Sequence, residues 1–118
     1  MNIQLFSDLH LEFERYEASF QNADVLVFAG DIEIGVKGIK WLENLATDKP
    51  IIYVLGNHEY YINTYPKLIN KIKGEITKNN IFVFENKSVL LDSINFHGCT
   101  LWTDFEIFGD PKIAGYHC

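Results

Sequence analysis

Val25-Leu26-Val27-Phe28-Ala29-Gly30-Asp31 is an unbroken run of five apolar residues closed by a glycine and a carboxylate. A run of that length without polar alternation suits a strand covered on both faces, as in a parallel sheet buried between layers. The same design occurs twice more: Ile3 to Phe6 leads into Asp8-Leu9-His10, and Ile51 to Leu55 leads into Gly56-Asn57-His58-Glu59. Each apolar run thus ends in groups that bind metals or move protons. In an open parallel sheet the carboxyl ends of neighbouring strands converge on one crevice, so groups distant in sequence come within reach of a single ion.

Outward from these runs, the chain alternates strands with helices and then changes texture. Met1 to Phe6 reads as the first strand, followed by a loop in which Glu12, Glu14 and Glu17 are taken as solvated. Val36, Ile39, Trp41, Leu42 and Leu45 recur mainly at three- and four-residue spacing and predict a helix from about Val36 to Ala46. Asp48-Lys49-Pro50 ends it, because Pro50 pushes the residue before it out of helical space. A second helix is expected from about Thr64 to Thr77, with Pro66 in its first turn, where a missing N–H is harmless. Ile81 to Phe84, Ser88 to Leu91 and Ile94 to Thr100 are short strand-like runs in a hairpin pattern. No repeat, low-complexity segment or linker divides residues 1–118, so one domain is expected.

Composition narrows the function. The 118 residues are 47% hydrophobic, enough for one core, and the net charge of −6, from 16 acids against 10 bases, disfavours a surface that grips nucleic acid by charge alone. A phosphate ester or nucleotide substrate would have to be recruited locally. No segment reads as a membrane span or signal peptide, which makes no membrane association and a cytoplasmic location the expectation. Cys99 and Cys118 form no Cys-x-x-Cys pair and are read as reduced thiols.

The chemistry follows from the residue types. Asp8 and His10, two apart on an extended segment, point the same way and can chelate one ion. Asp31 arrives from the neighbouring strand, and its two oxygens allow it to bridge two ions. Asn57 offers a neutral oxygen to the second. Two divalent ions can hold both oxygens of a phosphoryl group and acidify a water between them. His58, beside a ligand but directed elsewhere on the loop, is the candidate proton donor to the leaving oxygen. Taken singly, an Asp at a strand end is a cap or turn former, a lone His is a surface or hydrogen-bonded core residue, and Gly30 and Gly56 supply positive φ in tight turns. Joint occurrence at three successive strand ends reverses that balance. Glu59 is assigned to orienting the loop, His97 to a core or cross-strand role, and His117 to a terminus ill suited to a ligand. His58-Glu59-Tyr60-Tyr61-Ile62 begins like the zinc-protease His-Glu-x-x-His pattern but ends in Ile62, and neither a phosphate-binding Gly-x-x-x-x-Gly-Lys loop nor a Gly-x-Ser-x-Gly elbow is present.

Ser7-Asp8-Leu9-His10, Ala29-Gly30-Asp31 and Gly56-Asn57-His58-Glu59 resemble the first three blocks of the calcineurin-like metallophosphoesterase superfamily, and residues 98–105 resemble a strand and loop of a bacterial subgroup. The resemblance implies an α/β fold, the N-terminal part of a four-layer α/β sandwich with a mixed sheet flanked by helices. It also implies a dinuclear site of Mn, Fe or Zn, with Asp8, His10, Asp31 and Asn57 as metal ligands and Asp31 and His58 as catalytic residues. Members of that superfamily supply further histidines, one isolated and then a Gly-His-x-His block, that do not occur here. The chain is therefore expected to be truncated at its C-terminus and open to self-association. The alternative is a non-catalytic remnant or binding module with the same fold and an incomplete metal site.

Overall fold

Four strands, β1 (Ile3–Phe6), β2 (Val25–Ala29), β3 (Ile51–Val54) and β4 (Ile81–Phe84), pair side by side in sequence order, in a computed structural model that describes residues 1–20 and 22–112. Every pairing among them is parallel. Among the described residues antiparallel pairing is confined to a separate hairpin, β5 (Lys87–Leu91) and β6 (Ile94–Gly98), so the two kinds of pairing expected of one mixed sheet are divided between two. The fold is otherwise the anticipated parallel α/β arrangement. His117 and Cys118 lie outside the described residues; Cys99 is a free thiol.

Alternation along the strands decides which layer each side chain joins. Phe6, Leu26, Phe28, Ile51, Tyr53, Ile81 and Val83 form one core with Ile39 and Leu42 of α1 (Lys37–Glu43) and Leu68, Ile69 and Ile72 of α2 (Lys67–Glu75). On the opposite face, Val25, Ile52 and Phe84 are buried with Val89, Leu91 and Phe96 of the hairpin. Ile3 and Leu5 alternate with the core-facing Phe6 and remain 49% and 65% exposed. Among the described residues no helix is long and apolar enough to cross a membrane.

Both helices are shorter than their apolar periodicity, for physical reasons that lie at their ends. At α1, Asn44 N–H and Leu45 N–H donate to Trp41 and Leu42 carbonyls three residues back, and the Asn44 side chain donates to Lys40 C=O at 2.7 Å, closing the last turn early. At α2, Pro66 sits just before the first helical residue rather than within the first turn. Its C-terminus is drawn away by Glu43, whose carboxylate accepts from Thr77 N–H at 2.8 Å, Thr77 Oγ1 at 2.7 Å and Lys78 N–H at 3.2 Å. Burial pushes the Glu43 carboxyl up, but the hydrogen bonds from Thr77 and Lys78 and the Lys78 charge outweigh it and hold the group below the usual carboxylate range. A carboxyl lowered in this way stabilises fully above its unfolded pKa of about 4.3 and loses that contribution as pH falls through its folded value. Glu43→Ala is accordingly expected to lose on the order of 1–2 kcal/mol at neutral pH. In urea titrations the gap to wild type should close on acidification through that window; a gap independent of pH would show that the carboxylate is not the group responsible.

Register brings the polar clusters into line. Phe28 pairs with both Phe6 and Tyr53, and Ala29 pairs with Val54, so the three strands end nearly level. Asp8, Asp31 and Gly56 each lie two residues beyond the end of their strand.

Candidate metal centre

Backbone geometry at the strand ends is unusual for the residues that occupy it. Asp8, His10 and Asp31 have φ of +54°, +47° and +54°, the left-handed region that non-glycine residues seldom adopt. Such strain persists only where the surroundings overdetermine it. Here the loop after β1 is laced onto the loop after β2: Asp8 N–H donates to Gly30 C=O at 3.1 Å, His10 N–H to Asp31 C=O at 3.0 Å, and Leu11 N–H to Ile32 C=O at 2.9 Å.

The two glycines serve different purposes. Gly30 has φ +91°, as its turn demands, whereas Gly56 is not among the residues with positive φ. Gly56 is required by contact instead, since a Cβ there would lie 2.0 Å from Asp31 Oδ1, and one at Gly30 would lie 2.9 Å from the Gly56 nitrogen. That mutual approach seats the Asp31 carboxylate against the β3 loop, where Oδ1 accepts the His58 N–H at 3.0 Å.

Asp8, His10 and Asp31 offer ligand atoms that all lie within 4.8 Å of one another. His10 Nε2 is 4.0 Å from Asp8 Oδ1, and the Ser7 hydroxyl donates to Asp8 Oδ2. Asn57, exposed on the β3 loop, lines a cleft of about 850 Å³ together with Asp8, Asp31 and Gly56. Lys87, His97 and Cys99 from the hairpin side also line it. His97 is exposed and paired across the hairpin with Ser88. Neither His10 nor His58 is among the residues lining that cleft; they meet each other beside it, with ring centroids 4.3 Å apart.

Glu59 organises the floor. Fully buried, it accepts from Asp31 N–H at 3.0 Å and Gly56 N–H at 2.8 Å on Oε2, and from Ile32 N–H and Tyr53 O–H, both at 2.8 Å, on Oε1. Burial and then the Glu59 charge push the Tyr53 phenol well above its ordinary value, which keeps it a donor. One side chain therefore joins the ends of β2 and β3, the loop-orienting role its position suggested.

Glu12 departs from its reading as a solvated acid. It is half-buried, and Oε1 lies 3.1 Å from His10 Nδ1 and 3.0 Å from His58 Nδ1. Burial pushes its carboxyl up, while hydrogen bonds from its own backbone N–H, His58 and His10 outweigh that effect and hold it below the usual range. The spacing Asp8, His10, Glu12, each two residues on, carried the signal; the loop as a whole, rich in acids, obscured it. The Tyr61 ring packs on the His58 ring, with centroids 4.4 Å apart.

Two carboxylates and an imidazole held this close, on strained backbone, fit a divalent cation, which would offset the repulsion between Asp8 and Asp31. A family model described as calcineurin-like phosphoesterase matches residues 1–112. No curated protein matches the chain.

Proposed function

Because the chain belongs to the calcineurin-like phosphoesterase family, we propose that it hydrolyses phosphomonoesters or phosphodiesters at a site holding two divalent ions, Mn, Fe or Zn. The observation that carries this reading is the convergence of Asp8, His10 and Asp31 donors within 4.8 Å at the ends of adjacent parallel strands. Bound ions would polarise the phosphoryl group and acidify a water for attack on phosphorus.

The side chains divide the remaining work. Asp8 and His10 would hold the first ion and Asn57, from the β3 loop, the second, with Asp31 serving both, since its Oδ1 is engaged by the His58 N–H and the carboxylate has lone pairs to spare. His58 hydrogen-bonds the departing oxygen, its ring oriented by Glu12 and Tyr61. The substrate is a small phosphate ester or nucleotide, drawn in locally by the cations and Lys87 on the cleft wall against an overall charge of −6.

One observation favours a second reading, a metal-binding module without turnover. Among the described residues no group of three His, Cys, Asp or Glu includes Asp31 without also including Asp8 and His10, so the second ion has few protein ligands. Metal analysis separates the possibilities at their common root. Wild-type protein purified at neutral pH should retain Mn or Zn, and Asp31→Ala should retain at most a small fraction of it; equal, negligible content in both would end the metal reading. Where metal is retained, hydrolysis of bis-nitrophenyl phosphate with saturating Mn distinguishes the phosphoesterase from the inert module.

A further inference from the structure

We propose that Glu12 is a shared positioning residue, whose single oxygen Oε1 sets the tautomer and orientation of both His10 and His58. The inference rests on the reading of His10 as a metal ligand and His58 as a phosphate-side group, and adds the group that couples them.

The argument is one of donor and acceptor inventory. An ionised carboxylate only accepts hydrogen bonds, so a histidine nitrogen at 3.0–3.1 Å from it carries the hydrogen. Oε1 meets Nδ1 of both rings, so both carry Nδ1–H, and in the neutral imidazole Nε2 is then the lone-pair nitrogen. For His10 that nitrogen is the one 4.0 Å from Asp8 Oδ1, on the side of the Asp8–Asp31 group, where an ion would sit. A ligating histidine normally gives its other N–H to a carboxylate or carbonyl, and loss of that partner weakens metal affinity by about 10–100-fold. Here the partner is used twice.

Glu12 is placed to serve this purpose. The backbone on either side is pinned, Leu11 N–H to Ile32 C=O at 2.9 Å and Phe13 N–H to His10 C=O at 2.9 Å. Its carboxylate is largely withdrawn from solvent, and Oε2 is buried with no hydrogen-bond partner among the described residues. Among the described residues, the side chains that pair with this carboxylate are the two imidazoles, which an incidental surface acid would not select. Through Oε1, displacement of one ring is felt by the other.

Nitrogen-15 NMR of the histidine side chains in metal-free protein tests this without reference to activity. Both His10 and His58, assigned with His10→Gln and His58→Gln, should be Nδ1–H in the wild type. Glu12→Ala should shift both rings toward Nε2–H and weaken Mn binding, followed by calorimetry, about 10–100-fold. Glu12→Gln, whose amide oxygen can still accept from both rings, should keep the tautomers and bind Mn more nearly as wild type does. An Nε2–H tautomer at either ring in the wild type, or rings unmoved in Glu12→Ala, would overturn the proposal. Should wild-type protein bind no Mn, the metal reading fails while the tautomers still decide the role of Glu12.

Discussion

Glu59→Ala is expected to bring the domain close to unfolding. The carboxylate is fully buried and accepts four hydrogen bonds, three from backbone N–H groups of Asp31, Ile32 and Gly56 and one from Tyr53 O–H. Its removal strands all four donors, those of Ile32 and Tyr53 in buried hydrogen bonds and those of Asp31 and Gly56 in partly buried ones. Each orphaned buried donor costs about 1–3 kcal/mol, so a loss on the order of 4 kcal/mol or more is expected against a total of about 5–15 kcal/mol for a domain of this kind. Glu59→Gln tests whether the acceptor, rather than the bulk of the side chain, matters. Either amide orientation turns an NH₂ group toward two donors, because each carboxylate oxygen serves two of them. Urea denaturation followed by circular dichroism should therefore place the Gln variant well below wild type. A Gln variant within about 1 kcal/mol of wild type would show that the four-fold acceptor is not what holds the ends of β2 and β3 together.

His58→Gln should lose on the order of 10²–10⁴-fold in turnover while retaining its metal. His58 meets the proposed metal ligands through its backbone, whose N–H donates to Asp31 Oδ1, a contact that glutamine preserves. It also meets them through its ring, which packs on His10 and shares Glu12 Oε1 with it without supplying a ligand atom to the Asp8, His10 and Asp31 group. That ring is held by Glu12 Oε1 at 3.0 Å and by the Tyr61 ring, 4.4 Å from it centroid to centroid, a fixed setting for a group that must meet a developing negative charge. Nitrophenolate needs little help in leaving, so the loss should be smaller for nitrophenyl esters than for alkyl esters. Equal losses for the two, measured with metal content matched to wild type, would reassign His58 to placing the phosphate.

The strands were legible because burial on both faces writes itself as continuous apolar sequence. Val25–Ala29 and Ile81–Phe84 match the run that encodes them, and the clusters at their ends needed only the rule that parallel strands share a carboxyl edge. Helix ends were less legible. Periodicity extends α2 to Thr77, but Glu43 on another helix captures the Thr77 and Lys78 amides and ends it sooner. A hydrogen bond between residues so far apart leaves no mark on local periodicity.

By itself, then, the order of residues determined the parallel strands and which loops carry Asp8, His10, Asp31, Asn57 and His58. These depend on local pattern: apolar runs, their alternation and the polar residues where they stop. Only the tertiary structure decided that Gly56 is needed for its lack of a Cβ beside Asp31, and that Glu12 faces two imidazoles rather than water. Both depend on where one loop lies against another. The lacing of residues 8–11 onto residues 30–32 turns Asp8, His10 and Asp31 into left-handed backbone and so aims side chains in directions that the extended-segment spacing of Asp8 and His10 does not convey.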